Sequence, residues 1–290
     1  QLEQVAKEYN IELQSLNQIN NIKPGLIFSS EKTGIDIVKN VTNCKKVVAT
    51  YQTDFIESYE KYIDHVDHVL MPSEYCADFY NRKTEKNLYL GIPKYDVELH
   101  ADDILKKYNL PSSKKCLIIW PKTRDQGSVN MNIVLNCLKK LNYTVMLKTR
   151  GKDPFADKSK AMISQRGDFY FEDNSWHPHT TQELLKVSDF AVNFGSTTIE
   201  ECIMYDVPLI NYDVKPAFRN GAKRPYRVTH DYLYKYNYCV EFTKDSDLGN
   251  YMAAIDYFQK NDLSSHFRKA RENHLYNHKD SCKKILDVLV

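Results

Sequence analysis

A short run of small and hydroxyl-bearing residues stands between an apolar run, FAVNF, and a helical pattern, IEECIMY. The run, called the GSTT turn below, consists of Gly195, Ser196, Thr197 and Thr198. Where a strand ends and a helix begins, backbone N–H groups, hydroxyls and the positive end of the helix dipole converge on one point. These residue types in this order predict an anion site that suits a diphosphate.

Two glutamates, Glu200 and Glu201, follow the GSTT turn in the first part of the predicted helix. Either carboxylate could accept hydrogen bonds from the two vicinal hydroxyls of a ribose bound beside the phosphates. A simpler interpretation is that a hydroxyl of the turn caps the helix and the glutamates complement its dipole. Spacing alone leaves both interpretations open.

Basic residues follow two apolar runs of the same half of the chain. Lys122 and Arg124, with the hydroxyl residue Thr123 between them, come after CLIIW, while Lys148 ends TVMLK and Arg150 comes shortly after it. Ligands of open α/β sheets bind at the carboxyl ends of the strands, so these cations are candidates to offset two phosphate charges without a metal. Solvated basic loops are the alternative.

Apolar runs rich in β-branched residues alternate with helical patterns. The first series is GLIFSS, KVVATY, HVLMPS and NLYLGI, and the second is CLIIW, TVMLK, FYF, DFAVNF, VPLIN and YCVEF. The alternation restarts after the Pro-containing connector LGIPKYD. This pattern predicts an α/β protein of two facing, Rossmann-like, doubly wound domains, residues 1–96 and 97–290, the second with closing C-terminal helices.

The composition is that of a folded globular protein, with 42% hydrophobic and 27% charged residues. A formal net charge of +2 provides no overall field for nucleic acid or an acidic membrane. Seven scattered cysteines, mostly in apolar runs, predict reduced thiols and a cytoplasmic location. No apolar run approaches the roughly 18 residues of a transmembrane span. The first residue is Gln, so we expect an excised part of a larger polypeptide.

Metal ligation is not predicted. The chain has no Cys-x-x-Cys pair, and His177 and His179 lie two residues apart without an evident third ligand. We therefore expect neither a metal nor another cofactor.

The segment from Ser188 to Asp213 resembles the donor-site motif of GT-B glycosyltransferases and of the related UDP-N-acetylglucosamine 2-epimerases. In that motif a Ser/Gly/Thr-rich turn precedes a Glu that stands seven residues before a Pro, as Glu201 and Pro208 do here. The Gly-x-Pro-x-x-Asp connector in LGIPKYD is similar to that of CDP-glycerol glycerophosphotransferases. Together the resemblance covers roughly residues 25–245.

The resemblance implies a role for each candidate residue. Glu201, with Glu200 as the less favoured neighbour, would bind the donor ribose, and the hydroxyls of the GSTT turn would contact the diphosphate. The loop SWHPHTT would lie against the nucleobase, with His179 or Trp176 in contact with it. An inverting enzyme also needs a base for the acceptor hydroxyl, for which Asp54 in ATYQTDFIE is the candidate.

These features predict a metal-independent glycosyltransferase that moves a hexosyl or pentosyl group from a nucleoside-diphosphate sugar, with UDP favoured, to a glycan or other hydroxyl acceptor. Glycerophosphotransferases usually have His-Gly where this chain has Gln52-Thr53-Asp54, which argues against polyol-phosphate transfer. A sugar-nucleotide 2-epimerase is a second alternative, although its acidic and histidine residues are not matched in the first domain. A non-catalytic GT-B-like scaffold domain of a larger protein is a third.

Overall fold

The computed structural model describes eleven stretches of the 290-residue chain. They are residues 7–10, 12–15, 24–30, 39–49, 56–121, 129–149, 154–172, 180–196, 198–212, 235–275 and 279–290.

Residue contacts divide the chain into two compact units. The first unit is Gln1–Val97 together with Lys269–Val290, and the second unit is Glu98–Arg268. The predicted domain limits, 1–96 and 97–290, stay predictions. The contact division differs from them in placing the last 22 residues, 269–290, with the first unit.

A parallel sheet forms the centre of the first unit. Its strands are β1 (Leu26–Ser30), β2 (Lys45–Ala49), β3 (His68–Leu70) and β4 (Asn87–Leu88), in the order β1-β2-β3-β4. Short 3-10 helices span Ile56–Lys61, Ile63–His65 and Pro93–Tyr95. Helix α1 (Glu74–Phe79) begins at Ser73, whose Oγ accepts a hydrogen bond from the Cys76 N–H at 3.1 Å. The four strands coincide with the four apolar runs of the first series.

The end of the chain is part of this core. Val47 and Leu70 of the sheet pack in one buried cluster with Ile285 and Leu289 of the last helix, Ser281–Leu289. Burying these aliphatic side chains away from water is what holds that helix in the first unit.

The second unit contains a six-stranded parallel sheet. Its strands are β5 (Lys115–Ile119), β6 (Thr144–Lys148), β7 (Phe169–Phe171), β8 (Phe190–Asn193), β9 (Leu209–Tyr212) and β10 (Cys239–Phe242). They lie in the order β10-β9-β8-β5-β6-β7. All residues of β5, β8 and β9 are buried, whereas the edge strand β7 is partly exposed, as expected of a sheet covered on both faces.

This strand order defines where the sheet changes direction. Numbered along the second unit, the strands lie 3-2-1-4-5-6, the order of dinucleotide-binding doubly wound folds. The chain reverses between β5 and β8, which pair directly through Cys116 with Phe190 and Ile118 with Val192. The predicted doubly wound parallel α/β architecture is confirmed for the second unit.

Helices connect these strands. They are α2 (Ala101–Lys107), α3 (Met131–Lys140), α4 (Asp157–Gln165), α5 (Thr180–Lys186), α6 (Ile199–Met204) and α7 (Leu248–Lys260). Helix α8 (Ser264–His274) crosses the limit between the two units, and α9 (Ser281–Leu289) ends the chain. Among the described residues no helix is long and apolar enough to cross a membrane.

Candidate functional site

The GSTT turn lies directly after β8, which ends at Asn193, and before α6, which begins at Ile199. The predicted strand, turn and helix are therefore all present in the predicted order. Since β8 is one of the two strands at the reversal of the sheet, the turn stands at the carboxyl end where open α/β sheets bind their ligands.

The side chain of Asn193 holds the described part of the turn in one conformation. Its Oδ1 accepts a hydrogen bond from the Ser196 N–H at 3.2 Å, and its Nδ2 donates to the Ser196 carbonyl at 3.2 Å. Gly195 has a φ of 63°, the left-handed region that residues with a Cβ avoid. The turn is thus fixed both by an asparagine and by a glycine.

Two buried asparagines stand side by side beneath the turn. Asn193 and Asn211 are paired in register on β8 and β9, are 0% and 4% exposed, and are joined by a hydrogen bond from Nδ2 of Asn193 to Oδ1 of Asn211 at 2.9 Å. The sequence analysis did not single them out. The available signal was an amide residue near the end of each of two apolar runs, FAVNF and VPLIN.

Aromatic rings support the turn from below. Phe194 stacks on Tyr212 with ring centroids 4.9 Å apart and planes 14° from parallel. The Tyr212 hydroxyl lies 3.0 Å from that of Tyr251, and burial raises the pKa of Tyr212 to about 12. Both phenols therefore stay neutral at physiological pH. Phe194, Tyr212 and Tyr251 together form a packed aromatic cluster next to the turn.

The Thr198 hydroxyl does not cap the helix that follows the turn, whereas the Ser196 Oγ accepts a hydrogen bond from the Thr198 N–H at 3.5 Å. Thr198 is the N-cap of α6, but its side chain makes no capping hydrogen bond. Instead, its Oγ1 lies 3.2 Å from the Oγ of Ser196. The simpler interpretation, in which these hydroxyls serve only to start the helix, is therefore not supported for Thr198.

The two glutamates in the first turn of α6 are both buried. Glu200 is 1% exposed and Glu201 is 7% exposed, so Glu201 is the more accessible carboxylate. Burial, and then the charge of Glu201, raise the pKa of Tyr205. The Tyr205 hydroxyl donates to Oε1 of Gln182 at 3.1 Å, so its hydrogen is directed to an amide.

Lys148 is the predicted cation that the structure describes. It ends β6, the neighbour of β5 in the sheet, and is buried. Its Nζ donates to the Thr149 carbonyl at 3.1 Å, and the buried Thr149 Oγ1 has no hydrogen-bond partner among the described residues. A buried ammonium and an unsatisfied hydroxyl thus occupy the same carboxyl edge of the sheet as the GSTT turn.

Several predicted site residues lie outside the described residues. They are Asp54, Lys122, Thr123, Arg124, Arg150, Trp176, His179 and Thr197. Their roles stay predictions. Within the part of the chain that the structure describes, no group of three or more His, Cys, Asp or Glu residues could hold a metal ion.

Glu183 of α5 is the centre of a hydrogen-bonded cluster. Its carboxylate accepts hydrogen bonds from Nζ of Lys107, at 2.8 and 2.9 Å, and from the Tyr108 hydroxyl. Burial alone would lower the pKa of Lys107, but the hydrogen bonds to Glu183 and Tyr108 and the charges of both groups together outweigh it, and the pKa is raised. This cluster ties α5 to the end of α2.

Comparison with known proteins gives the class of fold. No family model matches the chain. The solved structure of UDP-GlcNAc 2-epimerase from Methanocaldococcus jannaschii superimposes with a TM-score of 0.58 at 8% identity, covering 98% of this chain and 88% of that one. The wall teichoic acid polymerase TagF superimposes with a TM-score of 0.55 at 16% identity, covering 85% and 67%. The chain therefore has a GT-B-type fold.

One curated protein is similar in sequence. The teichoic acid glycerol-phosphate primase of Bacillus spizizenii (strain ATCC 23059 / NRRL B-14472 / W23) is 24% identical over 169 residues, which are 54% of this chain and 43% of the primase. The chain thus matches less than half of that relative's length. The predicted resemblance to the group of 2-epimerases and CDP-glycerol glycerophosphotransferases is confirmed.

Proposed function

We propose that the second unit binds a nucleoside-diphosphate-activated donor and that the chain is the donor-binding part of a transferase. The observation that carries this proposal is the position of the GSTT turn and of Glu201 at the carboxyl end of β8, where the sheet reverses. The turn would take the diphosphate, Glu201 the ribose, and Lys148 part of the phosphate charge.

The sequence relative supports a polyol phosphate as the transferred group. The Bacillus protein is a glycerol-phosphate primase, and one TagF structure is of a variant soaked with CDPG. In such a transfer the acceptor hydroxyl attacks the distal phosphorus of the donor, and the bond from that phosphorus to the bridging oxygen breaks to release CMP. Charge then develops on the diphosphate itself, where donors fixed in advance stabilise it most.

Transfer of a sugar from a UDP donor is the second candidate, and it is the function that the sequence predicts. The 2-epimerase fold likeness supports it, because one of those structures holds UDP-GlcNAc and UDP. The residues Gln52-Thr53-Asp54, in place of the usual His-Gly of glycerophosphotransferases, favour it too. Here the acceptor attacks the anomeric carbon and UDP leaves. In both reactions we propose that Lys and Arg side chains and the turn supply the positive field without a metal.

The first experiment measures the thermal unfolding of the chain with CDP, CMP, UDP, GDP and TDP in EDTA. A ligand at 100 times its Kd stabilises the folded state by about 2.7 kcal/mol, which a melting curve resolves. We expect a shift with a cytidine or uridine nucleotide that is lost in Glu201→Ala. No shift with any nucleotide would favour the non-catalytic scaffold.

The leaving group then separates the two transfers. Incubation with CDP-glycerol and with UDP-GlcNAc, each with water or an added polyol as acceptor, should release CMP in the first case or UDP in the second, measured by chromatography. Glu201→Ala is the control for release without the site. If CMP is released when Mg²⁺ is added but not when EDTA is added, the proposed metal independence is contradicted.

A further inference from the structure

We propose that Asn193, supported by Asn211, is a positioning residue for the GSTT turn, fixing the backbone of Ser196 before the donor arrives. This inference rests on the proposed nucleotide-binding function. It concerns residues beneath the turn that do not themselves need to touch the donor.

The Asn193 amide forms hydrogen bonds through both its oxygen and its nitrogen. Its oxygen accepts from the Ser196 N–H at 3.2 Å, and its nitrogen donates to the Ser196 carbonyl at 3.2 Å and to Oδ1 of Asn211 at 2.9 Å. A primary amide has two N–H donors, so both are engaged. The Asn193 side chain thus forms hydrogen bonds with both backbone polar groups of Ser196.

Asn211 fixes the rotation of this amide. Asn193 and Asn211 are paired in register across β8 and β9, so the Asn211 side chain is carried by the neighbouring strand and not by the turn. With its Nδ2 held by Asn211, the Asn193 side chain cannot rotate to exchange its oxygen and nitrogen without losing bonds. The sheet therefore determines the conformation of the turn through this pair.

Because both asparagine side chains are buried, we infer that the pair serves binding as well as folding. Both asparagines are almost completely buried, at 0% and 4% exposed, on strands whose other residues are apolar or aromatic. Two apolar side chains of similar size would fill the same space without needing any partner. What the amides add is a fixed Ser196, and a binding loop that is ordered in advance loses less entropy when its ligand binds.

The test separates the diphosphate from the nucleoside. Affinities of CDP and cytidine, and of UDP and uridine, are measured by titration calorimetry for the wild type, Asn193→Ala and Asn211→Ala, with displacement titrations for the weak nucleosides. The exposed Asn136, which accepts from Arg166 at 2.8 Å in the same unit, provides the matched control Asn136→Ala. Melting temperatures of all four proteins are recorded.

We expect the ratio of nucleoside Kd to nucleoside-diphosphate Kd to fall about tenfold in Asn193→Ala, since hydrogen bonds that hold Ser196 are lost. Asn211→Ala loses one bond, so its ratio should fall about two- to threefold. Asn136→Ala should keep the wild-type ratio. The nucleoside affinity itself should change little in any variant.

Each other result is decisive. If the wild type binds no nucleotide, the proposed function fails. If the wild type binds and Asn193→Ala keeps its ratio, or weakens nucleoside and diphosphate equally, the positioning role is wrong. If Asn193→Ala does not fold, Asn211→Ala decides, and an unchanged ratio in that variant overturns the inference.

Discussion

At the scale of single residues, we expect opposite results from substitutions of the neighbouring glutamates Glu201 and Glu200. Glu201, at 7% exposed, is more exposed than Glu200, at 1%, and we propose it as the carboxylate that accepts the ribose hydroxyls. We expect the wild type to bind CDP or UDP about tenfold more tightly than the 2′-deoxy nucleotide, since a hydrogen bond to a charged group is strong. Glu201→Gln should reduce this preference, and Glu200→Gln should keep it. Calorimetry with the ribo and deoxy forms measures both, and a preference lost only in Glu200→Gln would reverse the assignment.

The position of the turn between a strand and a helix could be predicted because its parts are adjacent in sequence: a glycine that tolerates a φ of 63°, hydroxyls, and glutamates one turn later. The Asn193 and Asn211 pair could not, because the bond joins side chains 18 residues apart and depends on the register of two strands. Residue patterns show which groups are present. They do not show which atoms meet.

At the scale of elements, the cluster of Glu183, Lys107 and Tyr108 joins α5 to the end of α2. Hydrogen bonding to Glu183 raises the pKa of Lys107 against the effect of burial. Burial, and then Glu183, raise the pKa of Tyr108. Both groups therefore add stability below their ordinary pKa values of 10.5 and 10.0, and this is lost as the pH rises through the higher values of the folded state.

We accordingly expect the melting temperature of the wild type to fall as the pH rises above the ordinary pKa values of these two groups, and to fall less in Lys107→Met with Tyr108→Phe. At pH 7, Lys107→Met alone should cost about 1–2 kcal/mol, less than for a fully buried pair because half of the Lys107 side chain is exposed. Thermal unfolding across this pH range provides the measurement. Lys106→Met, on the same helix, is the control for loss of a lysine. Identical alkaline slopes in wild type and double variant would show that the cluster adds no such stability.

At the scale of the whole molecule, the strands and a closing helix were predictable, but the sheet that this helix covers was not. Each strand was recognisable because it is a short apolar run between polar turns. The first N–H groups of α9 are bound by a carboxylate far away in sequence. Asp96 accepts hydrogen bonds from the N–H of Ser281, 185 residues later, at 3.0 Å, and from the N–H of Cys282 at 2.6 Å. Amphipathic spacing predicted a helix there, but the sheet that its apolar face covers was decided by these distant contacts.

The last prediction concerns the contacts between α9 and the sheet of the first unit. Ile285→Ala removes a fully buried side chain from the cluster with Val47 and Leu70 and should destabilise the first unit by about 2–5 kcal/mol. Val288, about half exposed on the same helix, gives the control Val288→Ala, with an expected change within about 0.5 kcal/mol.

Hydrogen–deuterium exchange should then accelerate in β2 and β3 of the Ile285→Ala protein, because these strands lose a packing partner. Exchange in β5 and β8 should stay at the wild-type rate, since the second unit has a separate hydrophobic cluster. Faster exchange confined to β5 and β8 would mean that α9 stabilises the second unit, as the sequence alone had predicted.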